Sequence, residues 1–124
     1  MSLSRQNFKD LGLPVGPYTH AVCHGNTLYT SGFTAFGTDA QTSSADAQTH
    51  AVLDQLEYVA RQYDRNLDDL VKVTIFVTDP EDIPGIREAA TERYGNAVPA
   101  SSMVMVSGLF SPDLRIEIEG IFAL

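Results

Sequence analysis

Toward the end of this chain residue types alternate with a period of two in successive runs, and that period constrains the fold most. The first run is Pro99-Ala100-Ser101-Ser102-Met103-Val104-Met105-Val106; the second is Leu114-Arg115-Ile116-Glu117-Ile118-Glu119-Gly120-Ile121. Such a period belongs to a strand, whose successive side chains point to opposite faces. Glu117 and Glu119 therefore share a face, with Ile116, Ile118 and Ile121 read as the residues that anchor the strand. Two acids on the polar face of a strand usually make a solvated surface, so a plain surface role for Glu117 stands beside any functional one.

Upstream, Ala21–His24, Gly25-Asn26 and Thr27–Thr30 read as strand, tight turn and strand, since Gly and Asn accept the positive φ of a two-residue turn. The polar Met1–Lys9 segment is expected to be loosely held. Leu13–Tyr18 is too rich in Pro and Gly for a regular element and reads as an ordered loop. Phe33–Thr42 is a loop with weak strand character. A helix is predicted from near Ser43 to about Asp64, with Ser43 and Asp46 at capping-box spacing. Its apolar stripe is Ala51, Val52, Leu56, Val59, Ala60 and Tyr63. Leu70–Thr78 is almost continuously apolar, as a central strand would be. A second helix should begin at Pro84, capped by Asp82 or Ile83, and stop at Gly95-Asn96. The order β-β-α-β-α-β-β predicts an α+β chain, a single domain over residues 1–124, with both helices on one face of a mixed sheet.

Charge narrows the range of partners. Eight basic and sixteen acidic residues leave a net charge of −8, which repels phosphate backbones, so no nucleic-acid partner is expected. No apolar run reaches the ~18 residues of a membrane span and no signal peptide is recognised, so a cytoplasmic protein without a membrane partner is expected. Cys23, the single cysteine, excludes an internal disulfide and reads as a small buried hydrophobe. His20, His24 and His50 lack metal-ligand spacing, and neither a metal nor a cofactor is expected. Ser31 with His20 and an acid has no nucleophile-elbow context. His20 either lines a cleft beside Tyr18 or packs on the sheet with one nitrogen bonded.

Five blocks in order carry a family resemblance. Pro14-Val15-Gly16-Pro17-Tyr18-Thr19-His20-Ala21-Val22 resembles P-x-G-P-Y-S-x-A-V, and Leu28–Gly32 resembles L-[VIFY]-x-S-G. Gln48-Thr49-His50 with Leu53, Leu56 and Val59 is similar to Q-T-x-x-V-L-x-N-L. Asp68–Asp79 is similar to D-D-V-V-K-x-T-V-F-L-T-D, and the closing runs to P-A-R-S-C-V-E-V followed by I-E-I-E-A-I. These patterns are those of the reactive-intermediate deaminase family (Rid/YjgF, also labelled endoribonuclease L-PSP). The resemblance implies a chorismate-mutase-like fold and a homotrimer with a small-molecule cleft between neighbouring subunits.

It also implies hydrolysis of enamines and imines derived from amino acids, which needs a carboxylate grip, a positioned water and a proton shuttle. Carried over, the site residues are Tyr18, Ser31 and Glu117, with Glu117 activating water or moving a proton and Tyr18 in support; Gly32, read on its own, lets ligand or backbone approach closely. The Gly108–Asp113 loop is one residue longer than the pattern, which leaves Glu119 as a second candidate acid. Ser101 stands where the pattern has arginine, and Met103 where it has cysteine. Losing a charge-assisted pair with a carboxylate could cost about 2–5 kcal/mol of binding. Arg87, on the first turn of the second helix, either replaces that cation or pairs on the surface with Asp82 or Glu88. The expectation is a trimer whose cleft holds Tyr18, Ser31, Gly32, Arg87, Ser101 and Glu117 and hydrolyses or tautomerises small imine or enamine metabolites. The alternative is a trimer that binds a metabolite or protein partner without chemistry.

Overall fold

The apolar run at residues 70–77 and the alternating run at 116–123 pair with each other, and the sheet extends outward from them. In the computed structural model, which describes residues 2–124, the strands are β1 (Leu3–Gln6), β2 (Ala21–His24), β3 (Thr27–Thr30), β4 (Leu70–Val77), β5 (Ala100–Met105) and β6 (Ile116–Ala123). Two helices join them, α1 (Ala45–Arg61) and α2 (Ile83–Tyr94). The strand order is β1-β2-β3-β6-β4-β5. Every pairing is antiparallel except β4 with β5. That parallel pair needs a crossover, which α2 supplies.

Burial along β6 follows the strand period strictly. Ile116, Ile118 and Phe122 are wholly buried and Gly120 stands in the same row. Ile121 sits five residues from Ile116 and so joins Glu117 and Glu119 on the other face, opposite Tyr29 and Lys72. The expectation that Ile121 anchors the strand with Ile116 and Ile118 is corrected: Phe122 does so. Gly120 keeps the row shallow, since a Cβ there would lie 3.0 Å from Leu70 Cδ2 and 3.6 Å from Leu56 Cδ2.

The N-terminal segment differs from its expected looseness. Leu3–Gln6 pairs with β2 from Leu3↔His24 to Gln6↔Ala21. All four side chains are exposed, so this edge strand is held through its backbone and leaves no hydrophobic period to read. Met1 lies outside the described residues. The β2–β3 turn falls where expected, with Gly25 supplying a φ of 63°. Phe33 forms only an isolated bridge, exchanging backbone hydrogen bonds of 2.9 and 3.1 Å with Ile118.

Helix α1 starts two residues later than predicted, after Ser44, whose side chain makes no cap bond. It ends at Arg61 and turns through Asp64, whose φ is 58°. Its Val52, Leu53, Leu56, Val59 and Ala60 are buried. Helix α2 has Asp82 as cap and Pro84 in the first turn, where a missing N–H is harmless. Arg93 of α2 bonds Asp54 at 2.8 Å and the His50 carbonyl at 3.1 Å on α1. Both helices share one core with Val73, Ile75, Val77, Ile116, Ile118 and Phe122. Among the described residues, the sheet's opposite face, carrying Tyr29, Phe76, Val104, Glu117 and Ile121, has no helix over it.

Candidate functional site

Glu117 is placed by the strand period and by one glycine. It lies on the helix-free face of β6, half-buried, and its carboxylate packs against Gly32. A Cβ at residue 32 would collide with the Glu117 carboxylate and lie 2.7 Å from its Cδ. The close approach expected at Gly32 is therefore made by a side chain of the same protein. Burial raises the Glu117 carboxyl above its ordinary pKa, and the negative charge of Glu119 adds to the shift. Both causes disfavour the ionised form. Glu119, two residues along, is exposed.

Tyr18, Ser31, Gly32 and Glu117 line one hollow of about 450 Å³, together with Val15 and Phe110. Two prolines stiffen the loop that carries Tyr18, and Val15 N–H donates to the Tyr18 hydroxyl at 3.3 Å. Ser31 donates its hydroxyl to the Thr19 carbonyl, and its N–H donates to the His20 carbonyl at 3.0 Å. The Ser31 proton thus pins the Tyr18 segment, leaving only lone pairs toward the hollow. Glu119 does not line it.

His20 satisfies both of its sequence readings. It is 4% exposed, and its Nδ1 accepts from Phe8 N–H at 2.9 Å. It also lines a small hollow of about 80 Å³ that shares Val15, Tyr18, Gly32 and Phe110 with the Glu117 hollow. Burial lowers its pKa, favouring a neutral ring with the proton on Nε2, the tautomer that the Phe8 bond requires.

Sequence reasoning missed Phe110 as part of this site and Gln48 as the residue that holds its loop. Phe110 comes from the long β5–β6 loop and meets Phe36 edge-on, 5.1 Å between ring centroids. Gln48, wholly buried on α1, ties that loop down. Its amide nitrogen faces the carbonyls of Gln41, Ser43 and Asp113 at 3.0, 3.2 and 2.9 Å. Its Oε1 accepts from Arg115 N–H at 2.9 Å, which fixes the chain two residues before Glu117. The available signal was a glutamine among apolar helix positions, a residue type seldom buried without partners.

Arg87 and Ser101 lie elsewhere. They line a second hollow of about 470 Å³ between α2 and β5, with Ile86, Tyr94, Val98 and Met103. No residue is shared with the Glu117 hollow. Arg87 makes no ion pair among the described residues. Asp82, one surface partner considered for it, pairs with Arg115 at 3.1 Å. One chain therefore brings together Tyr18, Ser31, Gly32 and Glu117 in one place, and Arg87 with Ser101 in another. Among the described residues no three His, Cys, Asp or Glu side chains are grouped to hold a metal ion, and no helix is long and apolar enough to cross a membrane.

Residues 10–124 match the sequence profile of the family described as Endoribonuclease L-PSP. The chain is 33% identical to the RutC family protein PH0854 of Pyrococcus horikoshii, over 87% of each protein. It is also 33% identical to a 2-iminobutanoate/2-iminopropanoate deaminase of Escherichia coli K12, over 86% of this chain and 87% of that one. Among solved structures, a conserved Rid-family protein, YyfA of Yersinia pestis, superposes with a TM-score of 0.89 at 28% identity, covering 99% of this chain and all of the other.

Proposed function

Since the chain belongs to the endoribonuclease L-PSP family, the Rid/YjgF group, we propose that it is a cytoplasmic homotrimer hydrolysing small imines or enamines in clefts between subunits. The observation that carries the chemistry is Glu117, half-buried against Gly32 with a raised pKa, in the hollow that Tyr18 also lines. Such a carboxyl can take a proton and return it. It accepts a proton from water as the oxygen adds to the C=N carbon, giving a carbinolamine. It passes that proton to the nitrogen to complete the carbinolamine, then takes the carbinolamine's hydroxyl proton and hands it to the departing nitrogen as the C–N bond breaks, so imine and water become a carbonyl compound and ammonia. Tyr18 helps hold the water or the nitrogen.

Assembly is supported by the division of the site. Arg87 and Ser101 occupy a different hollow from Glu117, and the helix-free sheet face exposes Tyr29 and Val104. A closed ring of three copies would cover that face and set the Arg87 side of one copy against the Glu117 side of the next. Arg87 then supplies the carboxylate grip that the uncharged Ser101 lacks. A nuclease is opposed by the net charge of −8. A trimer that binds a metabolite or partner without chemistry draws on Ser101, since serine offers no guanidinium fork.

The test is ammonia release from freshly generated 2-aminoacrylate by wild type and Glu117→Gln. Wild-type turnover that the variant loses, with ligand binding retained, supports hydrolysis; no wild-type turnover on any amino-acid-derived imine removes it.

A further inference from the structure

The small hollow beside the Glu117 hollow carries polar groups whose hydrogen-bonding capacity the fold leaves open. Phe8 donates its N–H to His20 Nδ1 at 2.9 Å, and its ring stacks on the imidazole at 6.1 Å between centroids. That bond puts the ring proton on Nε2, which has no partner among the described residues. Only the Tyr63 and Tyr94 hydroxyls are both sealed and unpartnered among those residues. The Nε2–H of the buried His20 ring therefore keeps an opening, and the ring lines this hollow of about 80 Å³. Gln55 of α1 lines it too. Its amide hydrogens go to the Thr34 and Ala51 carbonyls at 2.7 and 3.2 Å, which leaves Oε1 as an acceptor. Thr34 Oγ1 accepts from Phe36 N–H at 3.2 Å, so its hydroxyl hydrogen remains to donate. The hollow thus offers two donors and an acceptor within an otherwise apolar wall of Leu11, Leu13, Phe33 and Phe36.

We propose that this hollow holds a short chain of ordered waters, oriented by the His20 Nε2–H, that supplies the water added at Glu117. The proposal deepens the imine-hydrolysis reading and rests on it, with His20 as a positioning residue. Water fits the site in size and chemistry. Each molecule takes about 30 Å³ of liquid, so the volume admits a few, and buried waters need two or more polar partners. An apolar ligand arm there would strand the Nε2–H, which is unfavourable. Direction follows from the donor: a water that accepts from Nε2–H keeps both of its own hydrogens to give. One goes to Gln55 Oε1 and the other onward along the shared wall. Val15, Tyr18, Gly32 and Phe110 line both hollows, and the Glu117 carboxylate packs against Gly32.

Two substitutions separate the two ring nitrogens of His20. In His20→Asn the side-chain oxygen takes the place of Nδ1 and keeps the Phe8 bond, but nothing donates at Nε2. In His20→Gln the amide N–H₂ takes the place of Nε2, and the Phe8 bond is lost. His20→Asn should lower kcat for ammonia release from 2-aminoacrylate about tenfold, the worth of one hydrogen bond, with KM nearly unchanged and the thermal midpoint held. His20→Gln should show the reverse, a lower midpoint with kcat near wild type. Turnover that follows the midpoint across both variants overturns the proposal, since His20 then acts through the fold alone. A loss confined to KM also overturns it, because the donor then holds substrate. A high-resolution crystal structure of the full-length wild type needs neither turnover nor a variant. It should show water within ~2.7–3.2 Å of His20 Nε2 and a second near Gln55 Oε1; a dry hollow overturns the proposal. Ordered waters in a protein that releases no ammonia from any imine keep the water site and remove the hydrolytic reading.

Discussion

The two hollows of this protein are similar in size and opposite in construction. The Glu117 hollow is made of close approaches and satisfied polar groups: Gly32 against the carboxylate, Ser31 on the Thr19 carbonyl, the Tyr18 hydroxyl on Val15 N–H. Those bonds hold the loops of the hollow in place. The α2–β5 hollow is lined mainly by apolar side chains, with the exposed Arg87 outside any ion pair among the described residues. A carboxyl that moves protons needs a rigid frame, whereas a recognition pocket needs open valences.

Four changes would break or sharpen that contrast. Glu117→Gln should lower kcat by about 10²–10⁴-fold, the usual contribution of a positioned acid–base group, with KM nearly unchanged; steady-state ammonia release decides it. If KM moves instead, Glu117 belongs to recognition. Gly32→Ala should cost about 10²-fold in kcat, because the added Cβ displaces the carboxylate and small misplacements are expensive. Its stability should fall by less than ~1 kcal/mol, since the group that must move ends a flexible side chain. Equal turnover in Gly32→Ala and wild type would detach the carboxylate's position from the chemistry.

Gln48→Ala should lower stability by about 2–3 kcal/mol in urea unfolding, because buried carbonyls and the Arg115 N–H lose their partner. It should also impair the Glu117 side more than the Arg87 side, since Gln48 ties down the loop carrying Phe110. The smallest effect concerns pH. A carboxyl whose folded pKa is raised binds its proton more tightly when folded, so wild type loses stability as pH rises from the unfolded pKa through the folded one. Glu117→Gln lacks that loss. Its thermal midpoint should match wild type at pH 4, below the ordinary glutamate range, and exceed it at pH 8. Identical midpoints at pH 8 would mean that Glu117 carries no desolvation penalty.

Most of the fold was legible because most elements bury one face. Strands β2 to β6, the β2–β3 turn, the stripe of α1 and the start of α2 near Pro84 follow from period and from proline and glycine chemistry. Strand β1 was not legible, since four exposed side chains carry no period and its stability lies in backbone pairing with β2. Ile121 was placed on the wrong face because its hydrophobicity outweighed strict parity, and the helix-free face of this sheet is itself partly apolar. The capping box drawn at Ser43 fails because the helix begins after Ser44, where local spacing alone does not set the first turn.

The candidate site divides the same way. Tyr18, Ser31, Gly32 and Glu117 were named from motif positions, and they line one hollow. Local sequence decides which face a strand residue takes, so the outward aim of Glu117 was determined by its neighbours Ile116 and Ile118. That Gly32 exists to admit the Glu117 carboxylate, that Gln48 anchors a loop 65 residues away, and that Arg87 and Ser101 stand apart from Glu117 are decided by contacts between distant segments. Such contacts depend on how helices and strands pack around one core, and short-range periodicity carries no record of them.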